Sequence, residues 1–382
     1  MTTEAKVTFN RYDAGLLKRR TALGTRLKYG RTQSKSFPSG RAARAENIAF
    51  PKGLEPVPDL AASAPSATAS LPRIDVIAMM DTEAEAMAMA DVLTPGVPYT
   101  QWHPYAKNFK EVFLPQIGPN GPSREAGCLG SYCVTRVKGL TVLVYKTELH
   151  MHEDAKTLPD GSYSLPIRQM FVQMIEDSTP KVFLTTGTSG GVYNDMSLGD
   201  VVVSRAARFD CQDDFRDAPF NHRTFQSNWA VPTQYLAAAG QLMHGFANHL
   251  TGKSSPRGAP PSASCRCGPA TYPTRIYRDG TSGIPEFHPI LTTDFFEFGT
   301  TVNRLDREGM AVEMDDACLG LACSQLSNPP RWACVRNLSD PVVNGGLGAT
   351  LQEKCAEYYY STFGYWTTVM SGLTTWAIIA GL

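Results

Sequence analysis

The chain has 382 residues, 42% of them hydrophobic, with 36 basic and 36 acidic side chains and a formal net charge of zero. At about 150 residues per domain this allows two domains, or one large α/β domain with an extension. The neutral balance argues against a wholly basic nucleic-acid binder. The charge is unevenly spread. Residues 1–46 carry eleven Lys or Arg against Glu4, Asp13 and Glu46, which leaves 25 basic and 33 acidic residues, a net of −8, for the rest. Such a basic N-terminus has three readings: a transit peptide, an arm for an anionic partner, or a solvated extension.

The first residues lack the apolar run of a secretory signal, and no segment reaches the roughly 20 apolar residues of a membrane span. The stretch from Val369 to Leu382, interrupted by Ser371, Thr374 and Thr375, reads as a packed terminal helix. An intracellular, cytoplasmic protein is expected, with an organellar address as the alternative. The nine cysteines (Cys128, Cys133, Cys211, Cys265, Cys267, Cys318, Cys323, Cys334 and Cys355) are scattered, most of them inside apolar runs. They read as free thiols in a reducing compartment. Cys265-Arg-Cys267 lacks the two-residue gap usual in metal-binding pairs.

In chain order, residues 1–72 read as a basic extension followed by a linker rich in Pro, Ala and Ser, with the ordered domain spanning 73–382. Strands are expected over Ile74–Met79, Gly139–Tyr145, Lys181–Thr186, Gly199–Ser204 and Trp332–Leu338, with a further one after Glu286. Helices are expected over Glu83–Leu93, Leu165–Glu176, Pro232–Leu250, Cys318–Leu326 and Leu351–Leu382. Insertions are expected near 104–130 and 250–290. The alternation of strands and helices predicts an α/β sheet covered on both faces.

Four segments carry a resemblance. They are Ile77-Ala-Met-Met-Asp-Thr-Glu83; Thr186-Gly-Thr-Ser-Gly-Gly191 with Leu198-Gly-Asp-Val-Val-Val203; Ala311-Val-Glu-Met-Asp-Asp316; and Val335-Arg-Asn-Leu-Ser-Asp340. In this order and spacing they resemble the nucleoside phosphorylase and nucleosidase superfamily, nearest in motif to the methylthioadenosine/S-adenosylhomocysteine nucleosidases. The resemblance covers about residues 74–375. It implies a three-layer αβα domain on a mixed twisted sheet, a site at the carboxyl ends of strands, a purine nucleoside as substrate, a homodimer, and neither metal nor cofactor.

Cleaving a base from ribose builds positive charge on the sugar and negative charge on the base. One group must protonate the base and another must activate the nucleophile, as two carboxyls do in glycoside hydrolysis. The resemblance gives Asp340, next to Ser339 at the substrate, the role of acid, which needs a raised pKa. It gives Glu83 the activation of water. Glu313, Met314 and Asp315 would hold the ribose. Asp315 is one methylene shorter than the glutamate of the family motif, so the sugar sits closer, a water fills the gap, or a hydroxyl is missing. Phe296 would stack on the purine, Glu297 would contact it through its backbone, and Thr188 would bind oxyanion, water or sugar.

Two features favour hydrolysis over phosphorolysis. No Arg stands near Glu83, and Thr185 occupies the position where many phosphorylases have a phosphate-clamping Arg. A phosphorylase and a non-catalytic nucleoside binder are the rivals. His150-Met-His152 could hold a metal only if both side chains faced one way, and the polar turn it occupies speaks against that.

Overall fold

A computed structural model describes residues 44–60, 64–250, 259–265, 274–297, 304–340 and 347–382. Its strands are β1 (Val57–Pro58), β2 (Val76–Met80), β3 (His103–Tyr105), β4 (Gly130–Val137), β5 (Leu140–Thr147), β6 (Val182–Gly191), β7 (Val201–Ser204), β8 (Ala206–Phe209), β9 (Thr224–Gln226), β10 (Ile276–Arg278), β11 (Ile290–Thr292), β12 (Ala311–Glu313) and β13 (Arg331–Asp340). The α-helices are α1 (Glu83–Leu93), α2 (Pro122–Ala126), α3 (Pro166–Ser178), α4 (Thr233–Phe246), α5 (Asp316–Cys323) and α6 (Ala349–Gly381).

The strands form one mixed sheet, in the order β1-β4-β5-β2-β6-β12-β11-β8-β9, with β13 joining β6 to β7. In β2 the side chains alternate between two cores, as a strand's period of two requires. Val76, Ala78 and Met80 pack with α1, α4 and α6, whereas Ile77 and Met79 pack with α3 and α5. Helices thus cover both faces of a central sheet, the three-layer α/β arrangement expected.

The strand β6 explains where the site lies. One edge pairs with β13 in parallel from Val182 to Gly190. The other edge pairs with β2 only over Val182–Thr185, then with β12 at Gly190 and Gly191. Residues 186–189 lie between these two partners, and side chains rather than a strand fill that gap. The Gly-rich stretch beyond the expected strand end at Thr186 is therefore the second half of the same strand.

Three further expectations meet the structure. Residues 44–60 and 64–72, ahead of the expected domain start, pack against the domain. The Ala45 amide donates to the Tyr365 hydroxyl at 2.8 Å, the Trp376 indole donates to Leu54 O at 2.8 Å, and β1 pairs with β4. Around 104–130, Phe109, Phe113 and Ile117 are buried in the second core. The reading of all cysteines as free thiols needs correction. Cys265 and Cys355 form a disulfide, their Cα atoms 5.5 Å apart and 90 residues apart in sequence, while Cys128, Cys133, Cys211, Cys318, Cys323 and Cys334 are thiols outside any disulfide. Nothing in sequence spacing brings these two together; only the packing of residues 259–265 on α6 does. Cys267 and nearly all of the basic N-terminal segment lie outside the described residues. Among the described residues, no helix is long and apolar enough to cross a membrane.

Candidate active site

A cleft opens at the carboxyl ends of β2, β6, β12 and β13. Thr188, Phe296, Glu297, Glu313, Met314, Asp315 and Asp340 all line it, joined by Asp81, Thr82, Glu85, Ser189, Thr293, Phe295, Arg336 and Tyr360. Residues from six separate segments thus converge on one cleft.

Two of the expected residues stand elsewhere. Ser339 is buried behind the cleft, and its hydroxyl donates to Asp340 Oδ1 at 2.9 Å. Glu83 points away and accepts a hydrogen bond from the Tyr99 hydroxyl. The reason is helical phase. Thr82 is the N-cap of α1, Glu83 is its first helical residue, and Glu85, at the third position, closes a capping box. The third position turns its side chain back toward the strand end; the first does not.

Glu85 is buried and holds four donors. Its Oε2 accepts the amides of Asp81 at 2.9 Å and Thr82 at 2.8 Å. Its Oε1 accepts the Thr188 amide at 2.7 Å and the Thr188 hydroxyl at 2.6 Å. These bonds fill the gap in the β6 edge, since the Thr188 N–H has no strand partner there. The approach requires glycine at 187, where a Cβ would sit 2.6 Å from Glu85 Oε1 and 2.9 Å from Arg336 Nη1.

Asp340, at the end of β13, is enclosed by protein. Burial pushes its carboxyl up to about 7, with the Ser339 hydroxyl pulling the other way. A carboxyl so placed holds a proton near neutral pH and can donate it.

Arg336 is the cation that sequence reading passed over, although a lone Arg in an apolar strand is a signal in itself. Its guanidinium grips both oxygens of Asp316, with Nε to Oδ2 at 2.9 Å. It also donates to Asp81 Oδ2 at 3.1 Å and lies 3.4 Å from Glu313 Oε2. Burial alone would lower its pKa, but Asp316, Glu313 and Asp81 outweigh that and hold it well above the usual value. Replacing Arg336 with Leu leaves three buried carboxylates without their counter-ion. A loss of about 3–5 kcal/mol in urea unfolding is expected.

Glu313 works as a helix cap. It accepts the Asp315 amide at 2.6 Å, the Asp316 amide at 3.0 Å and the Thr292 hydroxyl. Burial, with Asp316 and Asp315 close by, raises the pKa of its carboxyl against the pull of Arg336. Asp315 Oδ1 accepts the Met151 amide at 2.9 Å, and His150 Nδ1 lies 3.5 Å from its Oδ2. The two histidines paired by sequence spacing go separate ways: His150 to Asp315, and His152 to Asp214 at 3.1 Å. Asp81, His150 and Asp315 could offer a metal one atom each within 4.8 Å of one another, but Asp81 is already committed to Arg336 and Asp315 to the Met151 amide.

Among the described lining residues Arg336 is the only Lys, Arg or His, whereas Asp81, Glu85, Glu297, Glu313, Asp315 and Asp340 bring carboxyls. The cleft is therefore suited to a ligand on which positive charge develops, and poorly suited to a free anion.

No protein-family model matches the chain. No curated protein matches it either. Its fold is similar to solved structures over about four fifths of its length. The 5'-methylthioadenosine/S-adenosylhomocysteine nucleosidase of Neisseria meningitidis, in complex with methylthio-immucillin-A, is 14% identical with a TM-score of 0.46, covering 81% of this chain and 100% of that one. Futalosine hydrolase of Helicobacter pylori is 13% identical with a TM-score of 0.45, covering 81% and 99%. A structure described as a putative nucleosidase of the first kind from Borrelia burgdorferi, bound to adenine, is 12% identical with a TM-score of 0.47, covering 80% and 100%.

Proposed function

We propose that this cleft hydrolyses the N-glycosidic bond of a purine nucleoside or 5′-substituted adenosine, releasing free base and sugar. One observation carries the reading: a single carboxylate-rich cleft holds both the Asp340 carboxyl, raised to about 7, and the Glu85 carboxylate with the Thr188 hydroxyl on it. An acid and a base are what glycosidic hydrolysis divides between two carboxyls.

In the proposed reaction the C1′–N bond breaks and its electron pair leaves with the purine. Asp340 delivers its proton to the base nitrogen that gains density. The ribosyl cation that forms lies among the cleft's carboxylates, which stabilise it more than the neutral substrate. Water adds to C1′ and gives a proton to Thr188 Oγ as the hydroxyl proton passes to Glu85 Oε1. Proton return from Glu85 to Asp340 through solvent resets the site. Phe295 and Phe296 supply the apolar wall for the purine, and Asp315 accepts a sugar hydroxyl.

The lining residues favour water over phosphate as nucleophile. The one guanidinium among the described lining residues is held by Asp316, Asp81 and Glu313, so a phosphate would have to displace internal ion pairs to pair with it. The test is base release from a panel of purine nucleosides and 5′-thio analogues, with and without phosphate. Release at the same rate in both is expected. Formation of a sugar phosphate, or release only with phosphate, would replace this reading with phosphorolysis. Tight binding without release would make the protein a nucleoside binder.

A further inference from the structure

The 150–154 turn, outside the four motif segments, packs against the cleft residue Asp315. It follows β5 and is anchored by Asp154, whose Oδ2 accepts the His150 amide at 2.8 Å. Asp154 Oδ1 accepts the Ser123 amide at 3.1 Å and the Ser123 hydroxyl at 2.5 Å. It is seated against Gly121, where a Cβ would come within 2.5 Å of the same oxygen. The turn is thus fixed at its base, and both of its first two residues touch Asp315. The Met151 amide donates to Oδ1, and His150 Nδ1 faces Oδ2 at 3.5 Å, the outer limit of a hydrogen bond. His150, Met151 and Asp315 are all buried. Polar contacts of this length tighten when substrate closes a site.

The contrast with Glu313 is informative. Backbone amides, a hydroxyl and a guanidinium occupy the acceptor positions of Glu313, and a carboxylate has only about four. Asp315 lines the same cleft, on a side chain one methylene short. The His150 imidazole also stands near both Asp81 and Asp315, two like charges that repel when nothing separates them.

We propose that His150, with the Met151 amide, is a positioning residue for sugar recognition: it fixes the short Asp315 carboxylate where it accepts a ribose hydroxyl. The proposal rests on the nucleosidase reading. It makes discrimination between ribose and deoxyribose depend on a turn that touches Asp315 and no sugar atom.

The experiment compares adenosine or 5′-methylthioadenosine, whichever the parent chain cleaves faster, with its 2′-deoxy and 3′-deoxy forms. His150→Leu is expected to raise KM for the ribonucleoside about 10–100-fold with a smaller change in kcat. For the deoxy form lacking the held hydroxyl the change is expected to stay below about threefold. His150→Asn, whose amide can donate where Nδ1 stands, is expected to remain within about threefold of the parent. Adding Asp315→Glu to His150→Leu should restore part of the loss by supplying the missing methylene. Melting temperatures measured alongside separate misfolding from mispositioning. Equal losses on all three sugars, or His150→Asn as damaging as His150→Leu with the fold intact, would overturn the proposal while leaving the nucleosidase reading in place. A requirement for added Mg²⁺, Mn²⁺ or Zn²⁺ that disappears in His150→Asn would overturn it in favour of a metal site. A parent chain that neither binds nor cleaves any nucleoside would remove both.

Discussion

Asp340→Asn is expected to lower kcat by about 10²–10⁴-fold, the range in which general acids contribute, and to become more stable than the parent at alkaline pH. Both effects come from one environment. Burial raises the folded carboxyl from 3.8 to about 7, so the protonated donor is present at neutral pH and lost above it. The parent's kcat/KM should therefore fall as pH rises through about 7, and this alkaline limb should be missing from the residual activity of the variant. The stability effect has the opposite sign. Between 3.8 and about 7 the folded state holds a proton that the unfolded state has released, so parental stability declines as pH rises through that window. The full displacement is worth about 4 kcal/mol by linkage, and relaxation around the charge reduces it. An uncharged Asn avoids this cost. Urea unfolding of both proteins at pH 5 and pH 8 checks it: a gap that does not widen toward pH 8 would refute the assigned environment.

Glu85→Gln is the second large effect. A loss of about 10²–10⁴-fold in kcat is expected, whereas Glu83→Gln should stay within about threefold of the parent. An amide in place of the Glu85 carboxylate cannot accept at both ends. One of the two donor pairs, from Asp81 and Thr82 or from Thr188, would face an N–H₂ group, at a cost of about 1–3 kcal/mol in stability. Rate and melting temperature should be measured together, since a variant that only destabilised the fold would recover its rate at lower temperature. Full activity in folded Glu85→Gln, or collapse in Glu83→Gln, would return the role to the residue first suggested by the motif.

These two glutamates show how far the sequence was legible. Every main strand and helix expected from apolar periodicity has a counterpart, and the β2 alternation Val76-Ile-Ala-Met-Met80 sorts its side chains to two cores as written. The motif segments meet in one cleft. What failed was phase at the scale of two residues. Thr82-Glu-Ala-Glu85 carries the capping-box signature, and reading it would have put Glu85 at the third helical position. Arg336 went unnoticed because its partners, Asp81, Glu313 and Asp316, belong to other segments, so that a lone Arg in an apolar strand was the sole local sign of them. The Cys265–Cys355 bond and the His150–Asp315 contact were hidden for the same reason: they join sequence-distant residues whose neighbourhoods look ordinary. Short strands such as β8, β9 and β10 escaped because three or four residues cannot display a period.

The ion pairs of Arg336 have a consequence for how the chain is made. Asp81 emerges 255 residues before Arg336, which at about 5–20 residues per second is roughly 10–50 s of synthesis. In that interval the carboxylate at the end of β2 has no guanidinium, and enclosing it would cost several kcal/mol. The nascent strands β2 and β6 can pair at their first halves, but the end that becomes the cleft must stay hydrated. The β6 edge that β13 will occupy is open from the emergence of β6 until β13 follows, and an unpaired edge invites other chains. Insertion of β13 supplies the missing strand, the missing cation and Asp340 in one stroke, so the cleft is the last part of the sheet to be sealed from water.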